Sequence, residues 1–267
     1  MKTGIRAHDI YADGFENVIK RFREMGFSQM QLVLEKSLAD FKFGNFSPEY
    51  AAGIRKMLGN TEIAVLGSYI NPSSADDAEL EAEIGKFKEK IKYASILKPL
   101  VVGTETGYYN DDNSSEEAYF RLLSTMRILT AEAEKHNVDI AVEGVWCHVM
   151  NTPERTERLV RDLNSDNVKV IFDPVNFVTM DNYKTADDMI EYMFDKLHDV
   201  MKVIHVKDFT VENGEIALTV PGKGMLNFGL IFEKLKQYGM DIPLISEQIP
   251  DTDAAAGFAE IEKFDIF

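Results

Sequence analysis

VKVIFDPVN, residues 168–176, and KVIHVKD, residues 202–208, decide how this chain is read. Each is a short apolar, β-branched run that closes on a side chain a buried strand does not normally end with: Asp173 in the first, His205 in the second. Between them, Thr185–Val200 carries apolar residues at three- and four-residue intervals, as a helix packed on a sheet requires. Strand, helix and strand in that order make a parallel βαβ unit.

The pattern continues in both directions. Candidate strands fall at Gly4–Ala7, Gln29–Leu34, Glu62–Leu66, Leu100–Val102, Asp139–Val142, Lys169–Phe172, Lys202–His205 and Pro243–Ile245. Helix-like stretches lie between them at Phe15–Met25, Pro48–Leu58, Ala75–Leu97, Glu116–His136, Pro153–Leu163, Thr185–Val200 and Phe228–Tyr238. Ser47-Pro48-Glu49 and Asn151-Thr152-Pro153-Glu154 each put a polar cap before an N1 proline. Eight strands alternating with helices over 267 residues predict an α/β fold, a (β/α)8 TIM barrel, as a single domain covering residues 1–267. The runner-up, a doubly wound open sheet, lacks a G-x-G-x-x-G fingerprint after the first strand. Long connections follow the strands and short ones follow the helices, so the predicted active face is furnished with loops. One of these, Phe209–Val220, reads as a β-hairpin around Asn213-Gly214, placed either as a lid over the mouth or as an oligomer contact.

Composition narrows the function. A formal charge of −16 and five histidines argue against a partner with a phosphate backbone, so no nucleic acid is expected. With Cys147 as the sole cysteine no internal disulfide can form, and a cytoplasmic setting is the expectation. No segment reads as a signal peptide or a membrane span. Cys147 has no evident base partner, and Gly222-Lys223-Gly224 is a turn rather than a Walker loop.

Glu105, Glu143, Asp173, His205 and Glu247 all fall at predicted strand ends. A buried carboxylate or imidazole is costly unless paired. Glu143, Asp173, His205 and Glu247 end strands five to eight, which are consecutive around a closed barrel, and a shared metal ion accounts for all four. Carboxylates with one imidazole make a hard O/N donor set, suited to Mn2+, Mg2+ or Co2+.

VIFDPVN, HVKD and Ser246-Glu247-Gln248 resemble the xylose-isomerase-like TIM barrel superfamily, the sugar phosphate isomerase/epimerase family. The resemblance runs from GIRAHD near the start to the SEQ motif and is most specific in the second half. It implies Glu143, Asp173, His205 and Glu247 as ligands of one divalent cation, Mn2+ first, with Mg2+, Co2+ or Zn2+ as alternatives. It also implies Glu143 and Glu247 as the catalytic bases of a metal-dependent isomerase or epimerase with a small-molecule carbohydrate substrate. His148 matches a histidine common in its loop. Asn176 stands where the family's sugar 3-epimerases commonly carry histidine, which weakens that particular assignment. Lys207, His8 and Glu105 complete the expected substrate contacts, with a salt bridge to a neighbouring carboxylate such as Asp208 as the plain alternative for Lys207. Tyr108, Tyr109 and Trp146 are placed either on a sugar face or against another subunit. The resemblance allows a homo-oligomer. An inosose-type dehydratase on the same metal site and a non-catalytic sugar-binding barrel are the alternatives. The apurinic endonucleases of this fold are disfavoured by the acidic charge.

Overall fold

The computed structural model describes residues 1–265. Eight parallel strands close into a barrel: β1 (Thr3–Arg6), β2 (Gln29–Leu32), β3 (Glu62–Gly67), β4 (Val101–Glu105), β5 (Ile140–Glu143), β6 (Val168–Phe172), β7 (Met201–Val206) and β10 (Leu244–Ser246). The remaining pair, β8 (Asp208–Glu212) and β9 (Glu215–Thr219), is the expected antiparallel hairpin. Its turn residues Asn213 and Gly214 both have positive φ, as a type I′ turn demands.

The helices ring the outside: α1 (Phe15–Glu24), α2 (Leu34–Ser37), α3 (Pro48–Leu58), α4 (Asp77–Leu97), α5 (Glu116–His136), α6 (Pro153–Leu163), α7 (Ala186–Leu197), α8 (Phe228–Gln237) and α9 (Asp251–Ile261). Ser47 and Thr152 cap α3 and α6 by accepting from the N–H groups of Tyr50 and Arg155. Lys98, Asn137 and Asn164 end α4, α5 and α6 in the left-handed region, which turns the chain into the next strand within a few residues. Two helices differ from expectation. The second strand stops at Leu32 and Leu34 opens the short α2, while α9 had no predicted counterpart.

Side-chain alternation sets which residues face inward. Val65, Val101, Ala141, Ile171, Val203 and Ile245 form, with Ala64, a cluster that fills the barrel interior. Gly4 belongs to that layer, since a Cβ there would lie 2.7 Å from Ile245 Cδ1 and 1.6 Å from the Gln29 carbonyl oxygen. The mouth lies one inward position further along most strands, and two further along β3 and β4, past Gly67 and Gly103.

The segment after β2 is tied down by a buried lysine. Lys90 on α4 is fully enclosed, bonds the Glu35 carboxylate, approaches the Gly67 carbonyl at 3.3 Å, and stands over the rings of Phe41 and Phe43 at 5.0 and 5.1 Å. Truncating one partner of such a pair strands the other charge. We expect Lys90→Met to cost about 1–3 kcal/mol, because Glu35 keeps some solvent access. Urea unfolding of the two proteins checks it, and equal midpoints would sink it.

Candidate metal centre

Polar side chains from all eight barrel strands meet at the mouth. Glu105 and Glu143 are register partners at the ends of β4 and β5. Asp173 and Glu247 directly follow β6 and β10, and His205 is the penultimate residue of β7. On the other side, Arg6 of β1 is the register partner of Gln31 of β2, and Tyr69 follows β3.

Four of these groups could share an ion. Glu143, Asp173, His205 and Glu247 are all buried, and each offers one ligand atom within 4.8 Å of the others. His205 Nδ1 lies 3.0 Å from Glu143 Oε1, 3.3 Å from Glu247 Oε2 and 3.9 Å from Asp173 Oδ2. Among the described residues, Glu143 Oε2 and His205 Nε2 have no hydrogen-bond partner, and Asp173 Oδ2 meets Lys207 only as an ion pair. Three carboxylates packed this closely, with lone pairs unused, fit a hard divalent cation.

The electrostatics show the same strain. Burial alone would depress the His205 imidazole, yet Glu143 and Glu247 push it up to about 9. Burial pushes Glu143 upward, with only His205 opposing it strongly. Burial acts on Glu247 as well, but His205, Lys207 and Arg6 together hold it below the usual carboxylate range. The two glutamates differ because one faces three cationic groups and the other faces one.

Lys207 does not pair with Asp208. Its ammonium lies 2.6 Å from Glu247 Oε1 and 2.9 Å from Asp173 Oδ2, and it donates to Asn176 Oδ1 at 2.9 Å. Asn176 in turn donates from Nδ2 to Glu143 Oε1 at 2.8 Å. A histidine could not bridge these two groups in the same way, since the amide offers a donor and an acceptor on one planar end.

Asp208 has another task. It is fully buried and accepts from the backbone N–H groups of Phe209, Gly222, Gly224 and Leu226 at 2.8, 2.9, 2.8 and 2.9 Å. The glycine turn wraps around this carboxylate so closely that a Cβ at Gly224 would lie 2.4 Å from Asp208 Oδ1.

His148 packs edge-on against Tyr108 at 4.5 Å, and its Nδ1 lies 3.7 Å from Glu105 Oε2. Burial, then Glu143 and Glu247, push Glu105 up to about 7. Tyr108 and Trp146 are about half exposed, whereas Tyr109 turns away to bond Glu117 on α5. His8 lies in the turn after β1, near Arg6, with Nδ1 unpartnered. Arg6, Gln31 and Tyr69 escaped the sequence reading. Arg6 grips Asp9 with Nε and Nη2 at 2.7 and 2.9 Å and brings Nη1 within 3.7 Å of Glu247. Gln31 donates to the Tyr69 hydroxyl at 2.5 Å.

Burial holds His148 down at about 4, so it folds as the neutral ring. The unfolded chain takes up a proton near pH 6.5 and the folded one does not, so this residue's contribution falls as pH drops from about 6.5 to about 4. Glu105 works in the opposite direction, being more protonated in the fold. We therefore expect His148→Gln to gain stability relative to the parent by about 1–2 kcal/mol across that window. Parallel denaturation curves at pH 4.5 and 7 check the sign, and an unchanged difference would refute it.

This is an eight-stranded barrel whose mouth gathers three carboxylates and an imidazole from consecutive strands, a group that could hold a metal ion. The model of the family described as xylose isomerase-like TIM barrel matches residues 19–263, and the chain belongs to that family. Similar solved structures include a D-tagatose 3-epimerase-like protein, at TM-score 0.79 and 21% identity over 99% of this chain and 97% of that one. The IOLI protein with a bound zinc atom superposes at TM-score 0.75 and 17% identity, covering 100% of this chain and 97% of its own. The probable 3-DHS dehydratase AsbF of Bacillus anthracis follows at TM-score 0.74 and 16% identity, covering 98% of each chain. No curated protein matches at the level of sequence. Among the described residues, no helix is long and apolar enough to cross a membrane.

Proposed function

We propose that this barrel is a divalent-metal-dependent isomerase or epimerase of a sugar-like ketone. The observation that carries the reading is the convergence of four buried ligand groups, of which Glu143, Asp173 and His205 each keep an atom with no hydrogen-bond partner among the described residues. A cation held by Glu143, Asp173, His205 and Glu247 would polarise a substrate carbonyl and acidify the neighbouring C–H. Glu143 and Glu247 come from β5 and β10, on opposite flanks of the quartet, so one takes a proton from one face of the substrate and the other returns one. Lys207 and Asn176 keep the two bases in place through Glu247 and Glu143 respectively. Within reach of the mouth, His8, Glu105 and His148 orient hydroxyl groups.

One observation favours dehydration as a second reading. Glu105 stands beside His148 with its proton held up to about 7, where a carboxylic acid can protonate a departing hydroxyl. A purely sugar-binding barrel has no need for two carboxylates flanking the substrate. Mn2+ as the ion, a small carbohydrate rather than nucleic acid as partner, assembly into a homo-oligomer and a cytoplasmic setting belong to the same proposal.

Calorimetric titration of Mn2+ into chelator-treated protein is the test. One ion per chain is expected, with affinity falling as pH drops below about 9, where the His205 proton competes with the ion. No detectable binding would leave a metal-free binding barrel as the better account.

A further inference from the structure

We infer that the substrate is an uncharged polyol ketone, and that Arg6, His8, Gln31 and Tyr69 form the wall that recognises its distal hydroxyl groups. This rests on the metal-dependent reading above and goes on to name what the site accepts.

The first support is a filled anion nest. Barrels that bind phosphate commonly do so with the loops after the seventh and eighth strands, using backbone N–H groups. Here the N–H groups of Phe209, Gly222, Gly224 and Leu226 in that region are spent on Asp208. Occupied by the protein's own carboxylate, these four donors are not free for a phosphate.

The second is charge. A divalent ion with Lys207 and Arg6 matches the negative charge of Glu143, Asp173, Glu247 and Asp9, leaving no surplus for an anionic group. Lys36 lies near His8 but is exposed on α2, and a single solvated lysine is a weak phosphate site.

The third is the wall itself. Gln31 is fully buried, yet its Oε1 has no partner among the described residues, and neither does His8 Nδ1. Leaving such buried atoms unsatisfied is unfavourable. The Gln31 amide is aimed by Tyr69, whose phenol is kept protonated by burial and then by Glu143, Glu247 and Glu105, which places it inside the mouth. Hydroxyl groups, which both donate and accept, satisfy these neutral atoms, and a phosphate oxygen, which only accepts, cannot serve Gln31 Oε1.

The experiment follows hydrogen exchange from D2O into D-tagatose, D-psicose, D-fructose and D-fructose 6-phosphate with Mn2+-loaded protein, and repeats it with Gln31→Met and Tyr69→Phe. At least one uncharged sugar is expected to exchange with a kcat/KM ten or more times that of the phosphate ester. Gln31→Met should raise KM at least tenfold while the Mn2+ Kd stays within about twofold. Preference for the phosphate ester, exchange with none of the uncharged sugars although Mn2+ is bound, or unchanged KM in both variants would overturn the inference. Failure of Mn2+ to bind the parent protein would instead overturn the metal reading on which it stands. The parent's choice between charged and uncharged sugars decides the matter even if a variant misfolds.

Discussion

Glu247→Gln is expected to weaken Mn2+ binding by at least 100-fold and to lower hydrogen exchange at saturating metal by about 10²–10⁴-fold, the usual worth of a general base. The substitution keeps size and shape but removes the charge that answers three neighbours. Lys207 lies 2.6 Å from one oxygen of Glu247, His205 Nδ1 lies 3.3 Å from the other, and Arg6 stands at 3.7 Å. A neutral amide leaves these groups facing one another and takes away one of four ligand atoms. Two readouts separate the roles. Calorimetry reports the ligand, and exchange at metal concentrations well above the variant's Kd reports the base. Exchange within tenfold of the parent under those conditions would rule out Glu247 as a base while leaving it as a ligand.

Asp208→Ala should cost about 3–5 kcal/mol, enough to endanger a fold whose whole margin is of the order of 5–15 kcal/mol. The carboxylate satisfies four backbone N–H groups at once, those of Phe209 and Leu226 buried and those of Gly222 and Gly224 partly so. Asp208→Asn should cost less, since one oxygen still accepts, but its NH2 group meets backbone donors. The ordering Ala worse than Asn, read from urea midpoints at constant m, checks the account. A loss under 1 kcal/mol in the alanine variant would mean that water restores the turn. The effect should also reach the metal site, because Asp208 directly follows Lys207.

The barrel was legible because its strands announce themselves twice, by apolar runs and by what ends them. Asp173, His205 and Glu247 stand out against the valines and isoleucines that precede them. The hairpin was equally readable, since Asn213-Gly214 encodes its own turn geometry. Arg6, Gln31 and Tyr69 were missed for a physical reason. Arginine, glutamine and tyrosine at a strand end are ordinary surface residues until closure turns them inward. Counting in twos from Gly4 and Gln29 would have found Arg6 and Gln31, but only once those were known to face the interior. Asn176 was noticed as a departure, and only coordinates show it bridging Lys207 to Glu143. The four-donor embrace of Asp208 joins residues up to 18 positions apart and has no local signature. The helix α9 hides for another reason: its first turn holds Asp251, which Arg21 of α1 grips from across the chain.

The polar mouth divides along the chain as cleanly as it divides in space. Arg6, His8, Gln31 and Tyr69 all lie within the first 69 residues, while the quartet and Glu105 lie at or beyond position 105. The proposed far wall and the candidate ligands are thus written on separate stretches of the polypeptide, with Glu105 and His148 on the later one. A lineage could drift at His8, Gln31 or Tyr69 and reshape that wall while leaving the four candidate ligand positions untouched.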